Sequence, residues 1–274
     1  MKNAVCALLL LAGCAKENGA AQAPSSATPR AQLPQAPATQ ATVSSNTDVY
    51  VIIDSAGTRL SDDATVLVPS PKEPGRGADA AHKRHGQNDL YLVPLASALT
   101  RAKAAARLGT RLRVLVGKDV GYRVLIEALY TAGQHEVGEF ELCEETCGAR
   151  SLVFRPPRVG DLRGPPEHET LNLSVILVAD GIAVKTSFGN IAPGCESGVG
   201  PGVAIPKRDG AYDLAALGAC AQRLEAQAPA FASEEDVVLT AAASVPFSQV
   251  MDVALTLLGP TKSLFSRVTF GVAK

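Results

Sequence analysis

The sequence predicts an α+β protein made of two tandem units, each a small mixed sheet with two helices. Three observations lead there. The apolar runs are of strand length and alternate with segments whose apolar residues recur at helical spacing. A central stretch reads as strand, helix and strand with short joints. The order of elements in residues 47–147 then recurs in residues 171–274.

The first unit opens with Asp48 to Asp54, a buried strand followed by a turn at Ser55-Ala56-Gly57, and continues with a shorter strand, Thr65 to Pro69. Ser70 to Gln87, with its Pro, Gly and charged residues, reads as a loop. Asn88 or Asp89 can cap a helix running from Leu90 to about Leu108, on which Leu92, Leu95, Ala96 and Leu99 share one face. Pro94 falls in its first turns, where a missing amide is tolerated. Arg111 to Val116 is a strand, Gly117 to Gly121 a loop, Tyr122 to Ala132 a helix ended by Gly133, and Glu139 to Cys143 a strand. Such a βαβ unit predicts two parallel strands. Residues 148–170, Pro-rich from Arg155 to Glu169, form a connector.

The second unit repeats the order. Asn172 to Gly181 matches the opening strand and turn, a Gly/Pro-rich loop runs through Cys195 to Arg208, and Gly210 to Leu214 opens a helix. Val237 to Ala241 aligns with Leu112 to Val116, and without a gap Val245-Pro246-Phe247 aligns with Val120-Gly121-Tyr122. In the same register Val250, Met251 and Asp252 face Leu125, Ile126 and Glu127, and Arg267 to Phe270 stands where Glu139 to Leu142 stood.

Ahead of these units, residues 1–13 combine Lys2, a short apolar run from Ala4 to Leu11 and small residues, the parts of a secretory signal. The run is too short to span a bilayer. Leu11-Ala12-Gly13-Cys14 resembles the bacterial lipobox, which implies acylation of Cys14 and a protein tethered in the periplasm by membrane lipid. Ala15 after that cysteine favours the outer membrane, by resemblance to the sorting rule of enterobacterial lipoproteins. Residues 14–46 are almost wholly Ala, Pro, Gln, Ser and Thr, a composition that cannot offset its ordering entropy, and they read as a disordered linker. Of the six cysteines, Cys143, Cys147, Cys195 and Cys220 remain for disulfides in an oxidising compartment. Three pairings are open; Cys143 with Cys147 and Cys195 with Cys220 keep each bridge inside one unit.

With 27 acidic and 26 basic residues there is no basic stripe, so nucleic acid is not an expected partner. Tryptophan is absent, which disfavours a sugar-binding platform of stacked rings, and the core must be built of Val, Leu, Ile and Ala.

In its strand, acidic turn, aromatic helix start and glycine before the last strand, the chain resembles the periplasmic domain of the ExbD/TolR family (biopolymer transport protein ExbD-like). The residues carrying the resemblance are Val114-Leu115-Val116-Gly117-Lys118-Asp119-Val120-Gly121-Tyr122, then Val124 to Glu127 and Ala132-Gly133. The second copy keeps Pro246-Phe247 and Gly259 but has Ser244 where Asp119 stands. The resemblance implies a non-catalytic binding or accessory subunit of an ExbB-ExbD/TolQ-TolR-type transport system, with ExbB-like or TonB-like partners. The alternative is a structural lipoprotein that binds peptidoglycan or another envelope protein. Family members use an N-terminal membrane helix with a proton-handling aspartate, whereas this chain has a lipobox, so proton relay is not expected of it. Asp119, Tyr122 and Phe247 are the candidate binding surface.

Signs of other chemistry are thin. His135-Glu136 begins like a zinc-protease helix but has Glu139 where the second histidine should stand, and reads as turn and strand entry. His82-Lys83-Arg84-His85 reads as a solvated loop whose cations oppose metal binding. Gly198 to Gly202 has the wrong spacing for a phosphate loop, and no Gly-x-Ser-x-Gly elbow occurs. No enzyme, metal or cofactor is therefore expected. Helix capping is the ordinary role for Asp119.

Overall fold

Alternation along the strands sets the architecture. In β4 (Arg111–Val116) the side chains Leu112, Val114 and Val116 are buried while Arg111 and Arg113 are exposed. Such a strand has one face against the core and one face open. The computed structural model describes residues 48–148, 150–156, 170–195, 200, 202–259 and 264–272. The signal segment, Cys14 and residues 15–46 lie outside the described residues, as do residues 157–169 of the connector. The described chain belongs to one compact unit, Ser45–Lys274.

The first repeat contains β1 (Val51–Ile53), β2 (Gly57–Leu60), β3 (Val68–Pro69), α1 (Val93–Ala104), β4, α2 (Tyr122–Gly133), β5 (Glu139–Glu144) and β6 (Ser151–Phe154). Its sheet has the order β3-β2-β1-β4-β5-β6, with β1, β4 and β5 parallel and the others antiparallel to their neighbours. The second repeat contains β7 (Ser174–Val178), β8 (Gly181–Thr186), β9 (Gly189–Asn190), β10 (Ile205–Pro206), α3 (Leu214–Glu225), β11 (Asp236–Ala241), α4 (Phe247–Leu258) and β12 (Arg267–Phe270). Its order is β10-β8-β7-β11-β12, with β7, β11 and β12 parallel. The protein is thus α+β, with two mixed sheets and four α-helices among the described residues.

Two details show how far the repeat extends. Gly57 and Gly181 both sit at positive φ, 140° and 154°, and a Cβ on either would strike a backbone carbonyl, that of Val68 in one case and of Ile205 in the other. Only glycine fits a tight strand-to-strand corner there. At the start of the central strands, Arg111 pairs with Glu139 across β4 and β5 (Nε to Oε2, 2.8 Å), and Asp236 pairs with Arg267 across β11 and β12 (2.7 Å). The charges are exchanged and the position is kept.

Both disulfides are present, Cys143 with Cys147 and Cys195 with Cys220, with Cα separations of 4.8 and 5.6 Å that suit the bond. Helix α1 is shorter than the sequence suggests. Its N-cap is Leu92 and not Asn88 or Asp89, and the Leu92 N–H is satisfied by Thr131 Oγ1 of α2 at 2.9 Å. A tertiary acceptor thus replaces a local cap. Strands β2 and β8 fall where the sequence suggested turn and loop, and β6 falls in the connector.

The repeats are joined through the N-termini of α2 and α4. Tyr122 N–H donates to Val245 O (2.9 Å) and Phe247 N–H donates to Val120 O (2.8 Å). Arg123 N–H donates to Ala243 O (3.1 Å) and Ser248 N–H to Lys118 O (3.0 Å). Exchanging the repeats maps each bond onto its counterpart, with the Gly121–Pro246 bridge at the centre. This is a local two-fold clasp within one chain. Around it, Phe154 meets Phe140 at 5.1 Å and Phe270 at 5.0 Å, and Tyr122 lies 6.5 Å from Phe270. Tyr122, Phe140, Phe154 and Phe270 thus form an aromatic group at this seam, and one hydrophobic core runs through both repeats.

Tyr122 reaches across the clasp. Its hydroxyl is within hydrogen-bond distance of two carbonyls of the second repeat, Gly271 O at 2.6 Å and Leu239 O at 3.1 Å. Burial pushes this phenol above its ordinary pKa. Tyr122→Phe is expected to lower stability by about 1–2 kcal/mol, because a buried hydrogen bond is lost and Gly271 O loses its phenol donor. Urea unfolding of variant and parent checks this.

Candidate functional site

A groove of about 750 Å³ lies at the carboxyl ends of β1 and β4. Parallel strands end there and leave the chain free to form loops, which is where open α/β sheets place ligands. Ile53, Val116, Val120 and Val124 provide apolar lining, Ser70 to Arg76 form one wall, and Gly117 to Gly121 form another. Ser244 of the second repeat completes the lining, so the groove draws on both repeats. Lys72, Lys118, Asp119 and Glu145 stand exposed on it.

Asp54 is the most constrained charge of this lining. Its Oδ1 accepts from the Ala56 and Gly57 amides at 2.9 and 3.3 Å, and its Oδ2 accepts from Arg59 Nη1 at 2.6 Å. Burial acts to raise its pKa, but the Arg59 guanidinium and the two amides outweigh it and hold the carboxyl below its ordinary value of 3.8. A depressed folded-state pKa stabilises the fold above 3.8, and that contribution disappears as pH falls through the folded-state value. Asp54→Asn is therefore expected to be less stable than the parent at pH 7 and to converge with it below pH 3.8. Thermal unfolding across pH reads the convergence.

The wall of the groove is pinned from behind by a buried carboxylate. Glu127, on α2, is fully buried with Lys83, and Lys83 Nζ lies 2.7 Å from Glu127 Oε1. The same oxygen accepts from Arg123 Nε at 2.7 Å, and Oε2 accepts from the Ala78 amide at 2.8 Å. Lys83 also donates to Gln87 O at 2.7 Å, and Gln87 Nε2 donates to Ala78 O at 3.1 Å. Gly77 lies so close that a Cβ there would collide with the carboxylate. One turn further along α2, Thr131 bonds the Leu92 amide. Arg123, Glu127 and Thr131, spaced by four, thus bind the segment Gly77 to Leu92 to one stripe of the helix.

Each partner in this cluster offsets the desolvation of another, so removing one leaves a buried charge unmet. Glu127→Gln, which preserves shape, is expected to cost about 3–5 kcal/mol. Urea unfolding measures the loss, and hydrogen exchange at the Ala78 amide locates it.

The residues expected from sequence are placed as follows. Asp119 is exposed on the groove lining but does not cap α2, whose N-cap is Gly121 without a side-chain bond. Tyr122 and Phe247 are 2% and 0% exposed, so they form the inter-repeat seam and not a binding surface. The loop at His82 to His85 is not wholly solvated: Lys83 is drawn inside by Glu127, and Arg84 lies 3.7 Å over the Tyr91 ring. His135 follows α2 in a turn and Glu139 belongs to β5, so the two do not share a helix face. Cys14 lies outside the described residues.

The clasp also decides what the helix starts can do. The first two amides of α2 and of α4 are spent on carbonyls of the opposite repeat, so neither terminus presents them to an anion. Among the described residues, the one group spaced for a metal is Glu141, Cys143 and Cys147. Its two sulfurs are joined to each other, which removes them as ligands. The groove lining contains neither histidine nor cysteine. The lining is apolar, with charged groups of both signs at the edge. Compared with known protein families, with curated proteins and with solved structures, the chain has no match.

Sequence reasoning missed Glu127 as the anchor of the groove wall. The signal was there: a polar stripe of Arg123, Glu127 and Thr131 on a helix otherwise made of Leu, Ile, Val, Ala, Tyr and a last Gly.

Proposed function

We propose that this chain is a lipid-anchored periplasmic protein in which two ExbD/TolR-like domains are fused, acting as a binding subunit of an ExbB-ExbD/TolQ-TolR-type transport system. Lipid on Cys14 holds it to the membrane, and residues 14–46 space the folded part from that membrane. Among the described residues, no helix is long and apolar enough to cross a membrane, so proton coupling would belong to a partner.

The observation that carries this reading is the two-fold clasp between repeats of the same strand and helix order. Fusing two copies in one chain supplies the pairing that separate copies would need to find by association. The groove at the ends of β1 and β4 is the surface for the partner. Strand addition at the outer edges is a poorer route, since β3 and β10 are two residues long and end in Pro69 and Pro206. Proline removes a ladder donor and blunts an edge.

The test is site-specific photocrosslinking from Lys118 in the native envelope, with the lipobox intact. An ExbB-like or TonB-like partner is the expected product, lost when Cys14→Ala releases the protein from the membrane. Recovery of wall fragments alone would replace this reading with that of a peptidoglycan-binding structural lipoprotein.

A further inference from the structure

The two disulfides differ in a way that their pairing alone does not explain. Cys195 and Cys220 are 5% and 0% exposed, and their bond spans 25 positions, tying the long loop of the second repeat to α3. Cys143 is also buried, but Cys147 is exposed, and the bond spans only 4 positions. A ring that small removes little freedom from the unfolded chain, so stabilising the global fold is not its main effect.

The ring's position suggests what it does instead. It closes at the end of β5 and contains Glu145, which lines the groove. Glu145 takes a left-handed conformation, φ 56°, and its amide donates to Val116 O at the end of β4 (3.0 Å). Just beyond the ring, Arg150 pairs with Glu144 at 2.9 Å and with Asp252 of α4 at 2.8 Å. The five-residue ring therefore lies between the groove and an ion pair that joins the repeats.

We propose that the Cys143–Cys147 disulfide is a redox-sensitive latch on the groove, closed when oxidised and opened by a dithiol reductant. The reductant attacks as a thiolate at the accessible Cys147 Sγ. The bond to Cys143 breaks, and Cys143 Sγ leaves and takes up a proton. The second thiol of the reductant then resolves the mixed disulfide on Cys147. The protein gains two electrons and two protons, and the reductant ends as a disulfide. With the ring open, Glu145 is no longer held in its left-handed conformation by a covalent constraint, and its bond to Val116 O opens more often. The role of the latch in recognition rests on reading the groove as the partner site; its existence does not.

The test uses the oxidised protein and limiting dithiothreitol, with iodoacetamide trapping and peptide mass spectrometry. Cys143 and Cys147 are expected to be labelled at least about tenfold faster than Cys195 and Cys220. Equal rates, or the reverse order, would overturn the proposal. On the selectively reduced protein, amide exchange at Glu145 is expected to rise at least about tenfold while β11 stays unchanged. Unchanged exchange at Glu145 would overturn the latch even if reduction is selective. Cys143→Ser/Cys147→Ser should exchange like the reduced parent, and reduction of the parent keeps the test open if that variant does not fold. Neither readout needs a groove ligand, so the latch and the partner reading fail separately.

Discussion

Four backbone hydrogen bonds between Lys118–Arg123 and Ala243–Ser248 are the constraint on which the rest of this molecule depends. A helix begins with amides that have no partner in the helix, and at a buried terminus each must find one. Here α2 and α4 begin side by side in the interior, and each finds its acceptors in the loop that leads into the other. Separating the repeats would exchange these bonds for bonds to water, at a net loss of about 0.5–1.5 kcal/mol apiece, and would expose the apolar seam. The clasp also fixes the rest of the seam, because it places Tyr122 under the carbonyls of Leu239 and Gly271 and brings Phe154 against Phe270.

Within this symmetric frame the repeats solve one problem in two ways. The first repeat has its long segment between β3 and α1, the second between β9 and β10. In the first repeat the segment is fastened to α2 by Glu127, which is met by Lys83 from the loop, Arg123 from its own helix and the Ala78 amide. In the second repeat the position of Glu127 is taken by Asp252, which pairs instead with Arg150, and the loop is fastened to α3 by Cys195–Cys220. An ionic anchor depends on the complete set of partners and a covalent one on oxidation. The groove lies beside the ionic anchor, so its wall is only as firm as a cluster whose members cannot be removed one at a time.

Much of this was legible in the sequence, for identifiable reasons. The central strands and helices were readable because Leu112, Val114 and Val116 alternate and because Leu125, Ile126 and Leu129 fall on one helical face, both periodicities set by one-sided burial. The gapless match of Val120-Gly121-Tyr122 to Val245-Pro246-Phe247 was readable as a repeat, and the disulfides as the pairing internal to each unit. What the match could not give was the meaning of those residues. Only the fold shows that both helices start at the clasp, where Tyr122 and Phe247 are buried. Strands β2 and β8 were hidden because each begins at a glycine, and a glycine just past the end of a strand reads as a turn whether or not another strand follows. The groove was invisible for a different reason: its lining comes from β1, the Ser70 to Arg76 wall, the loop after β4, Glu145 and Ser244, segments brought together only by the fold.

The two-fold arrangement is broken in side-chain chemistry at the place where recognition is proposed. Asp119 has Ser244 as its counterpart, yet both belong to the same groove, Asp119 as an exposed charge and Ser244 as lining contributed across the clasp. Gly75 packs there too, since a Cβ at that position would lie 3.1 Å from Ser244 Cβ. A large side chain at 244 would press on the wall that Glu127 holds, so the small Ser244 of the second repeat has a steric reason in the first. The second repeat is thus part of the first repeat's groove, and its own chemistry at residues 243–246 is spent on the clasp.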